Sequence, residues 1–168
     1  LQANQEQKDA IDAINAALER FSIHLLYGIT GSGKTEVYLQ SIATCLEKGR
    51  QVLVLLPEIA LTPQTLARFE ARFDAPVVAL HSGIGDAARD RAWAAARSGK
   101  TAIILGTRSA VFVPLDKPGL IIVDEEHDAA FVQQDGLRYS ARDVAIKRAQ
   151  LENCPVILGS ATPSLESW

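Results

Sequence analysis

Six short apolar runs alternate with five amphipathic stretches along the chain, and this rhythm constrains the fold more than any other feature. The runs are Ile23–Tyr27, Gln51–Leu56, Pro76–Leu80, Thr101–Leu105, Leu120–Asp124 and Pro155–Gly159. Several are apolar without alternation, as in Val52–Leu56 and Leu120–Val123, the pattern of strands buried on both faces. The helical stretches fall at about Asn4–Glu19, Lys34–Lys48, Thr62–Phe73, Asp86–Ser98 and Ser140–Leu151. Asn4 with Gln7 suits a capping box, Thr62-Pro63 suits a cap and first helical position, and Gly49 and Gly99 stand where left-handed terminators belong. The expected fold is α/β, a mostly parallel sheet with helices on both faces. Ligands then gather at the carboxyl ends of the strands.

No repeat, low-complexity tract or linker breaks this rhythm, so residues 1–168 read as one domain. With 48% hydrophobic and 22% charged residues, 11 Gly and 7 Pro, the composition excludes disorder, collagen and a disulfide scaffold. The longest apolar runs fall far short of the roughly 20 residues of a membrane span, so no membrane association is expected. No leader pattern is visible, and Cys45 and Cys154 are isolated, which makes a reducing cytoplasmic location the expectation. The formal charge of −3 gives no overall attraction for nucleic acid, so any such contact must come from a local patch.

Gly28-Ile29-Thr30-Gly31-Ser32-Gly33-Lys34-Thr35 satisfies G-x-x-x-x-G-K-[ST] and lies between a strand and a helix, as the phosphate-binding mechanism requires. Its glycines allow consecutive backbone N–H groups to face a phosphate, and the helix amino terminus adds about half a positive charge. Lys34 is placed for the β and γ phosphates and Thr35 for Mg²⁺. A glycine-rich strand-to-helix turn is the plainer alternative.

Leu120-Ile121-Ile122-Val123-Asp124-Glu125-Glu126-His127 is an apolar strand ending in three carboxylates and an imidazole. Like charges so close raise one another's pKa unless a cation answers them, which points to Mg²⁺ carried with a nucleotide. Asp124 would hold the metal, and Glu125 would accept a proton from the water attacking the γ-phosphate. A solvated acidic turn is the alternative.

Read with Pro57-Glu58-Ile59-Ala60-Leu61-Thr62-Pro63-Gln64, Gly106-Thr107-Arg108-Ser109-Ala110 and Gly159-Ser160-Ala161-Thr162-Pro163, this acidic motif resembles superfamily 2 helicases. More narrowly, the chain is similar to the first motor lobe of the primosomal protein N′ (PriA) family of replication-restart DNA helicases. The resemblance implies a RecA-like P-loop lobe that binds ATP and Mg²⁺ and serves a 3′ to 5′ DNA helicase. It implies that Gln7 reads the adenine edge and that Thr62, Thr107 and Arg108 touch DNA phosphates, contacts that carry no sequence information. Ser160 and Thr162, with Glu126 and His127, would couple the γ-phosphate to the DNA track. In the Ala129–Arg142 segment an aromatic loop would sense single-stranded DNA by stacking. Leu137 departs from the aromatic pattern, which leaves that role to Phe131 and Tyr139 or makes them core residues.

Also by resemblance, the partners are forked and single-stranded DNA, restart proteins and single-strand-binding proteins, and the chain is expected to be monomeric. A second motor lobe, further DNA-binding domains and a cysteine-rich zinc region are expected in a longer parent, with this chain a nearly inactive fragment. A double-stranded DNA translocase and a non-catalytic nucleotide-dependent module remain alternatives. Cys45, Cys154 and His24 read as structural, His81 as a loop residue with a DNA-proximal role as its alternative. The basic stretch Arg89, Arg91, Arg97 and Lys100 around Trp93 reads as a solvated helix face.

Overall fold

The computed structural model describes residues 3–29 and 31–162. Six strands form one parallel sheet: β1 (Ser22–Tyr27), β2 (Gln51–Leu55), β3 (Val77–Leu80), β4 (Ile103–Gly106), β5 (Pro118–Val123) and, after a small hairpin, β8 (Pro155–Ser160). Their order across the sheet is β1-β8-β5-β2-β4-β3. The hairpin pairs β6 (Val132–Gln133) with β7 (Tyr139–Ser140) antiparallel. Helices are α1 (Gln5–Asn15), α2 (Lys34–Glu47), α3 (Pro63–Arg72), α4 (Asp86–Arg97) and α5 (Ala141–Glu152).

The central strands bury both faces, which is why their sequences do not alternate. Val52, Val54, Leu120 and Ile122 point into a core shared with Ile11 and Ile14 of α1, Ile42 of α2 and Phe69 of α3. Their neighbours Leu53, Leu55, Ile121 and Val123 point into an opposite core with Ala96 of α4 and the Ala141, Ala145, Ala149 stripe of α5. That stripe of small side chains allows α5 to lie close against β5 and β8.

The anticipated punctuation is present. Asn4 and Gln7 form a reciprocal capping box, Thr62 caps α3 with Pro63 at its first position, and Gly49 and Gly99 adopt φ of +68° and +74°. The first helix is shorter than its hydrophobic period suggests. It ends at Asn15, and the chain tightens through Ala17 N–H to Ile14 and Leu18 N–H to Asn15, while Ala17 and Leu18 stay buried. Periodicity there reports burial of a turn rather than another helical turn.

At the amino-terminal edge, buried Gln51 donates to the carbonyls of Ala96 and Thr101 and accepts from the N–H groups of Asp116 and Lys117. Four bonds meet the capacity of an amide that would otherwise be costly to bury. This knot ties the loops before β4 and β5 at the edge opposite the charged motifs.

Candidate functional site

The glycine-rich turn leaves β1 at the carboxyl edge of the sheet, with Gly28 N–H bonded to the Ser160 carbonyl at 3.1 Å. Gly31 and Gly33 take φ of +84° and +89°, a region open to glycine at little steric cost. Gly33 is the cap of α2 and supplies no side-chain acceptor, so the N–H groups of Lys34 and Thr35 have no carbonyl within the helix, while Glu36 N–H bonds to the Gly33 carbonyl at 2.9 Å. Lys34 donates to the Gly28 carbonyl at 2.5 Å and lies 3.8 Å from Glu125 Oε1. Thr35 follows it, half-buried, and Gly31 and Ser32 are exposed at the turn. Thr30 lies outside the described residues.

Gln7 connects the first helix to this turn. Its Oε1 accepts from Asn4 N–H at 2.9 Å, and its Nε2 donates to the Ser32 carbonyl at 3.0 Å. The capping and turn-facing roles therefore coexist in one amide. A cavity of about 370 Å³ opens beside it, lined by Gln7, Tyr27, Gly28, Ser32 and Lys34. A larger groove of about 710 Å³ lies along α4 around Trp93 and Pro114, apart from these motifs.

The acidic motif begins where β5 ends. Asp124 N–H bonds to the Leu55 carbonyl and Glu126 N–H to the Gly159 carbonyl, each at 2.9 Å, so the turn is held by strands on both sides. Between them Glu125 adopts φ +51°, a left-handed conformation that costs a non-glycine residue roughly 1–2 kcal/mol. Such strain collects at functional sites, and here it accompanies a Glu125 carboxylate near the Lys34 ammonium.

Burial pushes the Asp124 carboxyl above its ordinary range, and the Glu125 charge adds to this, while a hydrogen bond from Tyr38 pulls it back. That bond, Tyr38 OH to Asp124 Oδ1, is 2.9 Å long. Burial, reinforced by Asp124, drives the Tyr38 phenol well above its usual value, so it remains a donor. No group of three or more His, Cys, Asp or Glu able to hold a metal occurs among the described residues. Mg²⁺ fits this donor set when phosphate oxygens complete its octahedron, since it is typically held by one or two protein oxygens plus phosphates and water. A desolvated carboxylate beside a second carboxylate is a group that such a cation stabilises.

Two further contacts spread from the motif. His127 Nδ1 lies 2.8 Å from Ser160 Oγ, whose oxygen also accepts Thr162 N–H at 3.1 Å. Glu126 is buried and pairs with Arg142 at the start of α5 at 3.3 Å. Sequence reasoning missed Tyr38 and gave Arg142 no role at this site. Each meets its carboxylate through the fold, from 86 and 16 residues away respectively, and no motif spacing records that.

The residues expected along a DNA track occupy the same edge, and the side chains of Thr62 and Arg108 already have partners there. Thr62 Oγ1 accepts from Thr65 N–H at 3.2 Å as a helix cap, and Thr107 precedes a short 3₁₀ turn, its N–H bonded to Leu80 O. Arg108 donates to the carbonyls of Ala130 at 3.3 Å and Val132 at 3.2 Å, so it holds the loop ahead of the hairpin. Phe131 corrects the expectation of a stacking surface: it is 1% exposed within the core beside α5, and neither ring face is open to a base. Tyr139 is half-buried and meets Phe112 edge-on at 5.0 Å. The large apolar side chain exposed on the hairpin tip is Leu137.

Cys45 and Cys154 are buried, free thiols, each pushed up to about 12 mainly by burial. His24 Nε2 pairs with Ser22 Oγ at 2.9 Å, and His81 Nδ1 accepts Gly83 N–H at 3.1 Å. No helix among the described residues is long and apolar enough to cross a membrane.

The family model for DEAD/DEAH box helicases matches residues 4–167. The chain belongs to the DEAD/DEAH box helicase family. Within curated relatives, the helicase lobe is 56% identical over 147 residues to the replication restart protein PriA of Haemophilus influenzae, covering 88% of this chain and 20% of that one. It is 45% identical over 170 residues to PriA of Bacillus subtilis, covering all of this chain and 21% of the relative. The helicase chain thus spans about a fifth of the length of these relatives. Among solved structures it resembles RecG bound to a three-way DNA junction, with TM-score 0.73 and 25% identity over 99% of this chain and 22% of that one. It also resembles the Hef helicase domain of Pyrococcus furiosus, with TM-score 0.64 and 25% identity over 94% and 33%. These likenesses and the parallel sheet make the fold of this helicase lobe RecA-like.

Proposed function

We propose that this chain is the ATP-binding motor lobe of a PriA-type replication-restart DNA helicase, coupling ATP hydrolysis to 3′ to 5′ strand separation. The observation that carries the reading is the convergence of Lys34, Asp124 and Glu125 at one strand edge, with the Lys34 ammonium 3.8 Å from the Glu125 carboxylate. In this reading the amides of Gly31–Thr35 and the Lys34 ammonium bind the phosphates, and Gln7 contributes its amide to the adenine. Thr35 and Asp124 would hold Mg²⁺, which supplies charge neutralisation on the phosphate oxygens. Glu125 accepts the proton of the attacking water. Arginines from a second lobe complete the charge stabilisation, an effect worth roughly 10³ to 10⁵ in rate.

The His127–Ser160 contact and the Ser160–Thr162 bond support a route from the acidic motif to the strand edge that faces DNA. Thr62, Thr107 and Arg108 serve that edge, Arg108 partly by fixing the loop of Ala130 and Val132. Tyr139 remains a candidate stacking ring. Cytoplasmic location, a monomeric state, and restart and single-strand-binding protein partners belong to the same proposal.

The test uses the parent protein on forked DNA with a single-stranded 3′ arm. DNA-stimulated ATP hydrolysis with strand displacement supports the reading. Hydrolysis and translocation without displacement point to a double-stranded DNA translocase, and nucleotide-dependent DNA binding without hydrolysis points to a non-catalytic module.

A further inference from the structure

Tyr38 sits in the second turn of α2, four residues after Lys34 and three after Thr35, on a face where only 3% of its surface reaches solvent. Its ring is packed with Ile42, Val54 and Ile122 in the core cluster beneath α2, yet its hydroxyl ends on Asp124 Oδ1. A phenol inside an apolar core is costly to bury unless its O–H finds a partner. Here the partner is a carboxylate of the acidic motif rather than a backbone carbonyl or the solvent.

The third wall of this contact is Gly159 on β8. A Cβ at that position would overlap the Tyr38 hydroxyl and come within 3.1 Å of Asp124 Oδ1. Gly159 has an ordinary backbone conformation, so a left-handed turn does not account for glycine there. Space for the Tyr38–Asp124 bond does. Three elements therefore converge on one carboxylate oxygen: α2 donates, β5 presents the acid, and β8 leaves room.

We infer that Tyr38 is a positioning residue for the Mg²⁺-dependent nucleotide site: its hydroxyl pins one oxygen of Asp124 and so fixes how that carboxylate is presented toward the α2 amino terminus. The inference rests on the reading of Asp124 as the magnesium-holding residue. A ligating carboxylate held by an outer hydrogen bond needs no rotational search, and loss of such partners typically weakens metal affinity by roughly 10–100-fold.

The test is Tyr38→Phe in the parent protein, read by Mg²⁺ titration of the binding of a fluorescent ATP analogue. The ring and its packing stay, and only the hydroxyl goes. The expected result is a rise of about tenfold in the Mg²⁺ concentration at half-maximal binding, with nucleotide affinity in EDTA unchanged within about twofold. In an Asp124→Ala background, where the accepting oxygen is removed, the same substitution should add no further shift. An unchanged Mg²⁺ midpoint, equal weakening with and without Mg²⁺, or a shift that adds fully to that of Asp124→Ala would each overturn the assignment. If the unsubstituted protein shows no Mg²⁺-dependent binding, the nucleotide-site reading fails first and carries this inference with it.

Discussion

The two halves of the strand edge solve different problems with the same kinds of residue. Around β1, β5 and β8, polar groups converge: Lys34 on Glu125, Tyr38 on Asp124, and His127 on Ser160. Around β2 and β4, the polar groups hold backbone: Thr62 caps a helix, and Arg108 reaches two carbonyls of the segment that follows the acidic motif. Motif residues in the first half concentrate charge where a ligand would be met. In the proposed reading, motif residues in the second half line a DNA track, and their effect on a strand acts partly through loop position.

The sharpest way to break this comparison is Glu125→Gln in the parent protein. Removing the base should lower hydrolysis by roughly 10²–10⁴-fold while nucleotide affinity changes by no more than about twofold. An unchanged rate would move the base elsewhere. Phe131→Ala, in the segment that Arg108 holds, should destabilise the chain by about 3–5 kcal/mol because it empties a core site, whereas Tyr139→Ala should cost much less. Urea denaturation measures both, and equal midpoints would contradict the core assignment of Phe131.

Arg108→Ala should have a smaller thermodynamic effect, since water can take over part of its bonding, at about 1–2 kcal/mol or less. It should raise amide hydrogen exchange across 129–140 and leave exchange at the phosphate loop as it was. Faster exchange confined to the phosphate loop would invert the proposed division. The smallest expected effect concerns His24, whose pKa is lowered by burial and then by the Arg20 charge. The native chain then binds fewer protons than the unfolded one, so stability declines as pH falls below the ordinary histidine value of 6.5, and the decline is complete below the folded pKa. A His24→Gln variant should lack this slope, and the same slope in both would assign it to other groups.

What was legible in the sequence follows the same line. Uniformly apolar strands betrayed a sheet buried on both faces, and the glycine spacing revealed the strand-to-helix turn between β1 and α2, because both are local consequences of backbone geometry. The end of α1 was misjudged because buried Ala17 and Leu18 continue the helical period after the backbone has turned. The β6–β7 hairpin, with strands of two residues each, is too short to leave a period. Phe131 and Tyr139 look alike as aromatic loop residues, and their different burial depends on α5 packing onto the sheet. Tyr38 was invisible for the reason that makes it informative: it lies on α2, and its partner follows β5, 86 residues away.

The measurement that tests the central claim most directly is titration of the chain with a fluorescent ATP analogue, with and without Mg²⁺, before and after Lys34→Ala. The phosphate-cradle account predicts Mg²⁺-dependent binding that is lost on replacing the ammonium. Affinity retained by the variant would place the nucleotide somewhere other than the turn between β1 and α2.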